Sequence, residues 1–145
     1  MSHRYAIGIG ANLGDRSAAF ARAAVLIQTA GDIAIAAQSP AIRSAPMGGP
    51  DGQEWFLNAV WILATGLGPH SLLHRLQAIE TACGRSRTVH WGPRTLDLDL
   101  LARADGLRIT SPVLTLPHPR LAERPFVTGP LAELVRVGAW PPPLS

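Results

Sequence analysis

The chain is 145 residues long, 47% hydrophobic and only 16% charged, with a formal net charge of +3. That length suits one domain, 1–145, with a real core, and the composition excludes an intrinsically disordered chain. All thirteen basic residues are arginine, which excludes a Walker A phosphate loop, a protein-kinase site and a Schiff-base enzyme, since each needs a lysine.

The lone Cys83 permits no internal disulfide. No apolar run reaches the roughly 18 residues of a membrane span. The first residues lack the pattern of a secretory signal, so the expected location is the cytoplasm.

In chain order, residues 5–10, "YAIGIG", read as a first strand. "GANLGD" follows as a turn, with Asp15 a candidate N-cap. Residues 16–30 read as a helix, with Phe20, Ala24 and Ile27 at helical spacing, ended by Gly31. Residues 33–42 read as one strand. The Gly/Pro-rich "SAPMGGPDGQ" that follows is a loop. Residues 56–64, "FLNAVWILA", form the next strand. Pro69 opens a second helix that carries Leu72, Leu76, Ile79 and Cys83 on one face and stops at Gly84. Residues 85–94 are an arginine-rich loop, and 95–101 are a strand. "RADG" suits a hairpin turn into 107–109. A short helix is expected near 130–136. The order is strand, helix, strand, strand, helix, strand. It predicts an α+β, ferredoxin-like βαββαβ core with a mostly antiparallel sheet and helices on one face.

The strand "LDLDLL" carries the chemistry. Residues two apart on a strand share a face, so Leu96, Leu98 and Leu100 point into the core while Asp97 and Asp99 line the opposite face. Their Cα atoms are then about 7 Å apart by strand rise. Two carboxylates so close repel unless cations lie between them, and they suit a pair of Mg²⁺ ions. A solvated strand face is the plain alternative. The arginines crowded at 85–94, with Arg94 just before the strand, favour a site where cations and phosphates meet. Phe56 and Asn58 alternate onto one face, an aromatic and an amide suited to a flat heterocycle. Phe126 offers a second aromatic wall.

Other motifs carry less. Gly8, Gly10 and Gly14 are spaced G-x-G-x-x-x-G, which misses the dinucleotide fingerprint and reads as a turn signal. His70 and His74 have chelating spacing but no third ligand nearby. The acidic pair on the sheet face and the lack of aromatic RNA-binding motifs argue against a nucleic-acid partner.

Taken together, "HWGPRTLDLDLL" at 90–101 resembles the signature of the 6-hydroxymethyl-7,8-dihydropterin pyrophosphokinase family of folate biosynthesis. "GANLGDR" at 10–16, "FLNAV" at 56–60, "QAIE" at 77–80 and "LPHPRLAERPFV" at 116–127 match it in the same order. The resemblance implies transfer of pyrophosphate from ATP to the pterin hydroxymethyl group, with release of AMP. It implies catalytic Arg85, Arg94, Asp97 and Asp99, the aspartates holding two Mg²⁺ ions. Ser44, Ala45, Met47, Phe56, Asn58 and Phe126 are implied to bind the pterin. Gln77, Glu80, Arg85, Trp91, Arg94, His118 and Arg124 are implied to bind ATP. Pro119 and Val113 stand where some members carry tyrosine and arginine. A monomer acting on small molecules, without nucleic-acid or membrane partners, is expected.

Overall fold

A computed structural model describes residues 2–12, 14–45, 55–84 and 96–142. The elements are β1 (His3–Ala11), α1 (Arg16–Thr29), β2 (Ile33–Gln38), β3 (Ile42–Ser44), β4 (Phe56–Thr65), α2 (Pro69–Ala82), β5 (Asp97–Arg103), β6 (Ile109–Thr110), β7 (Thr115–Leu116) and α3 (Pro125–Arg136). The main sheet has the order β2-β4-β1-β5, with β3 also paired to β4, and its pairs are antiparallel. This is the expected ferredoxin-like arrangement.

Local chemistry sets the element ends. The Asp15 carboxylate accepts the Ala18 N–H at 3.0 Å and caps α1. Pro69 opens α2 without losing a hydrogen bond. Gly84 ends it at φ 86°, a left-handed conformation that favours glycine.

The sheet has two apolar faces. Tyr5, Ile7, Ile9, Trp61, Leu63, Leu98 and Leu100 pack against Ile27 of α1 and Leu72, Leu76 and Ile79 of α2. The α1 and α2 helices therefore share one face, as expected. The alternate residues Ala6, Val60, Ile62 and Leu101 meet Val127 and Leu134 of α3 on the other face. The third helix, outside the βαββαβ unit, covers only part of that face.

Three local expectations change. The strand expected over 33–42 is broken into β2 and β3: residues 39–41 leave the ladder between two segments paired to the same edge of β4, and Pro40 has no N–H to give it. Ser39 holds that break: its N–H donates to the Val60 carbonyl and its hydroxyl accepts the Val60 N–H, both at 2.9 Å. The chain after β5 forms no hairpin with it. Asp105 engages Arg103 and the Leu107 N–H, and β6 pairs with β7 instead. Finally, α3 begins at Pro125, five residues before the expected helix. Gly129 and Pro130 read as breakers, yet Pro130 is buried inside the helix.

Ser39→Ala is expected to lower stability by about 1–3 kcal/mol, because the buried Val60 N–H loses its acceptor. Urea unfolding at neutral pH measures this, and a change of only about 0.3 kcal/mol would mean that the hydroxyl is replaceable by water.

Candidate active site

Alternation along β5 sends Leu98 and Leu100 into the helix-covered core, at 5% and 3% exposure. It leaves Asp97 half-buried and Asp99 exposed on the opposite face. On the facing strand they lie opposite glycines. Gly10 pairs with Asp97 and Gly8 with Asp99. These two glycines lie inside β1 and are not part of a turn. A β-carbon at Gly10 would come within 2.9 Å of the Asn58 side-chain oxygen, so only glycine lets that amide lie across the strand.

Asp97 and Asp99 sit at the seam of two cavities. One, of about 470 Å³, is lined by Gly8, Gly10, Ser44, Ala45, Phe56, Asn58, Arg124 and Phe126 as well as both aspartates. The other, of about 390 Å³, is lined by Gln77, Glu80, Ser111, Thr115 and His118 and again by both aspartates. The first holds two aromatic rings and a buried amide. The second is more polar.

The remaining contacts fix these side chains. Asn58 donates its amide N–H to the Ser44 hydroxyl, so β3 and β4 present one hydrogen-bonding edge. Arg124 Nη1 lies 3.4 Å from Asp99 Oδ2, and the guanidinium carbon is 6.0 Å from the Phe126 ring centroid. Glu80 lines the second cavity from its inner wall. It is 5% exposed, and its carboxylate accepts the Leu98 N–H at 2.8 Å. That bond anchors the outer edge of β5 between the two aspartates. The His118 backbone N–H donates to the Leu101 carbonyl at 2.7 Å. Its ring Nδ1 accepts the Arg120 N–H at 3.2 Å, so the neutral ring carries its proton on Nε2. Burial, with Arg124 and Arg120 nearby, pushes the His118 pKa below its ordinary 6.5, against the opposing pull of Asp99.

The donor set suits a hard cation. Among the described residues no group of three His, Cys, Asp or Glu side chains converges, leaving the carboxylate pair. Mg²⁺ is commonly held by one or two carboxylates and completed by water and phosphate oxygens. The pair lies open to both cavities, where a phosphate chain would supply those oxygens.

The fold thus brings together Asp97, Asp99, Ser44, Ala45, Phe56, Asn58, Phe126, Arg124, Gln77, Glu80 and His118. The expected Met47, Arg85, Trp91 and Arg94 lie outside the described residues. Sequence reasoning missed the glycine floor and Arg120, which lines the first cavity. The G-x-G spacing within a strand was the available signal for the floor.

The profile of a family described as 7,8-dihydro-6-hydroxymethylpterin-pyrophosphokinase matches residues 6–136. The chain is 42% identical over 128 residues to a 2-amino-4-hydroxy-6-hydroxymethyldihydropteridine pyrophosphokinase of Methylorubrum extorquens, covering 88% of this chain and 80% of the relative. A Bacillus subtilis protein of the same name is 40% identical over 128 residues, covering 88% and 75%. A mitochondrial folate synthesis bifunctional protein of Arabidopsis thaliana is 41% identical over 133 residues, or 92% of this chain and 24% of that longer one.

The His118 ring is expected to titrate below 6.5 in the folded protein. A depressed folded pKa means that the unfolded chain takes up the proton first as pH falls. The contribution of this group is therefore full above pH 6.5 and is lost as pH drops through the folded value. An NMR titration of the ring carbons tests this, and a midpoint at or above 6.5 would refute it.

Proposed function

This chain belongs to the 7,8-dihydro-6-hydroxymethylpterin-pyrophosphokinase family, and from that membership we propose how its own residues carry out the reaction. The enzyme transfers pyrophosphate from ATP to 6-hydroxymethyl-7,8-dihydropterin, giving the pterin diphosphate and AMP, in folate biosynthesis. Among the described residues no helix is long and apolar enough to cross a membrane. We place the enzyme in the cytoplasm, as a single-domain monomer acting on small molecules and not on nucleic acid.

The observation that carries the residue assignment is the seam. One carboxylate pair borders both an aromatic, amide-bearing cavity and a polar one. The pterin belongs in the first, its ring between Phe56 and Phe126, with Asn58 and Ser44 facing its polar edge. Ala45 closes the end of β3, and Met47 is assigned there by resemblance alone. ATP belongs in the second, along Gln77 and His118, with its phosphates directed to the seam.

In the reaction the hydroxymethyl oxygen bonds to the β-phosphorus, the bond from that phosphorus to the α–β bridging oxygen breaks, and AMP departs. The hydroxyl proton is released, and negative charge grows on the bridge. Asp97 and Asp99 would hold two Mg²⁺ ions, which when bound would supply positive charge to offset the negative charge that grows on the phosphates. Arg124, a planar fork beside Asp99, suits those oxygens as well. The neutral His118 offers its Nε2–H to a phosphate oxygen without adding a full charge. Arg85, Arg94 and Trp91 join the phosphate side by resemblance. Glu80, with its carboxylate on the Leu98 N–H, acts on ATP through the strand that carries the aspartates. Loose phosphoryl-type transfer depends on positioning more than on a strong base, which suits a site with no evident general base among the described residues.

Two outcomes test this reading. Asp97→Asn and Asp99→Asn keep the side-chain size, and the partly exposed Asp99–Arg124 pair contributes little, so the apo fold should still form. AMP release should fall by at least roughly a thousandfold, because each cation contributes several kcal/mol in the transition state. Near-normal turnover at modest Mg²⁺ in Asp97→Asn would return the pair to a solvated strand face. Phe126→Ala should weaken pterin binding by about 1–3 kcal/mol, as for loss of one stacking face. ATP binding should change little in that variant. Equal loss of both ligands in calorimetry would refute the pterin assignment.

A further inference from the structure

Behind the aromatic cavity lies a second aromatic arrangement that the reaction does not use. The Trp55 ring, half-buried at the start of β4, has the Arg16 guanidinium carbon 3.7 Å and the Arg43 guanidinium carbon 4.1 Å from its centroid. Two guanidiniums that close to one centroid have room only on opposite faces, so the indole is sandwiched between two cations.

The stack joins three parts of the chain. Arg16 lies in the first turn of α1. Its Nε donates to the Trp55 carbonyl at 3.1 Å, and its terminal nitrogens donate to the carbonyls of Asn12 at 3.3 Å and Gly14 at 3.4 Å. Arg43 is the middle residue of β3, which has only three residues. Without the indole between them the two guanidiniums would repel each other. The ring's negative faces attract both, by cation–π attraction and stacking.

Register shows what the stack supports. Arg43 pairs with Leu57 and Ser44 with Phe56. By alternation Ser44, Phe56 and Asn58 share the cavity face of this ribbon, while Arg43, Trp55 and Leu57 share its back. A three-residue strand held by three pairs is weakly fixed by its backbone alone. The Arg16–Trp55–Arg43 stack braces it from behind, and its front carries the Ser44–Asn58 hydrogen bond that orients the amide.

We propose that Trp55, clamped by Arg16 and Arg43, is a positioning residue for the pterin pocket that sets the β3–β4 ribbon so that Ser44, Phe56 and Asn58 meet the ligand together. This rests on the assignment of the pterin to the first cavity. Trp55 touches no reacting atom, so its effect is on pterin affinity more than on the chemical step.

The experiment is calorimetry of the full chain with the pterin, in the presence of Mg²⁺ and a non-hydrolysable ATP analogue, alongside steady-state kinetics. Trp55→Ala should raise the pterin Kd and KM about tenfold, because both guanidiniums lose the ring that anchors them, while ATP-analogue affinity and kcat stay within about twofold. Trp55→Phe keeps a ring face for both guanidiniums and should restore pterin affinity to within about threefold of the original. A Trp55→Ala protein whose pterin affinity is unchanged overturns the clamp. So does one that loses pterin and nucleotide affinity equally, or one that Trp55→Phe fails to rescue. Phe126→Ala measured in parallel separates the two readings. Pterin binding lost in Phe126→Ala but kept in Trp55→Ala sinks the clamp alone, and binding kept in both sinks the assignment of the pterin to this cavity.

Discussion

The site depends on one constraint, the period-two alternation of β5 at the edge of the sheet. The same run of backbone must bury Leu98 and Leu100 against the helices and present Asp97 and Asp99 to the opposite side. A slip of one residue would bury two carboxylates and expose the leucines. The apolar burial that stabilises the domain therefore also enforces the orientation of the acidic pair. At about 25 cal/mol per Å² of apolar area, even one misplaced leucine costs more than an exposed ion pair contributes.

An edge strand has one row of backbone groups without a neighbouring strand, and here other elements supply the partners. Glu80 accepts the Leu98 N–H from α2, and the chain before α3 donates the His118 N–H to the Leu101 carbonyl. On the paired side, Gly8 and Gly10 face the two aspartates, and Gly10 leaves space for the Asn58 amide. Each contact fixes backbone and leaves the carboxylate oxygens to other partners. The Asp99–Arg124 pair is partly exposed, with side-chain exposures of 49% and 25%. It contributes little to stability and keeps a cationic fork at the seam.

Partial coverage of the second sheet face explains where the aromatic cavity has room. Val127 and Leu134 of α3 seal Ala6, Val60, Ile62 and Leu101. The helix leaves Gly8, Gly10 and Asn58 beyond its first turn, where Phe126 overhangs the cavity. A helix that covered the whole face would fill the aromatic cavity, and no helix at all would leave Val60 and Ile62 in water.

Much of this was legible in the residues themselves. Alternation assigned Leu96, Leu98 and Leu100 to the core and Asp97 and Asp99 to the other face. Pro69, Asp15 and Gly84 marked helix ends, because φ restriction, capping and left-handed backbone are local properties. Ordered motifs carried the family. What sequence could not supply was anything decided by contact across the sheet. The break between β2 and β3 follows from Ser39 bonding Val60, the start of α3 from burial of Pro130, and the pairing of β6 from a strand six residues further on. The glycine floor, the Glu80–Leu98 bond and the stack of Arg16 and Arg43 on Trp55 join residues that lie far apart along the chain. Periodicity records which face a residue takes, because that is fixed by its neighbours in sequence. Which residue it meets on that face is fixed only when the strands find their register.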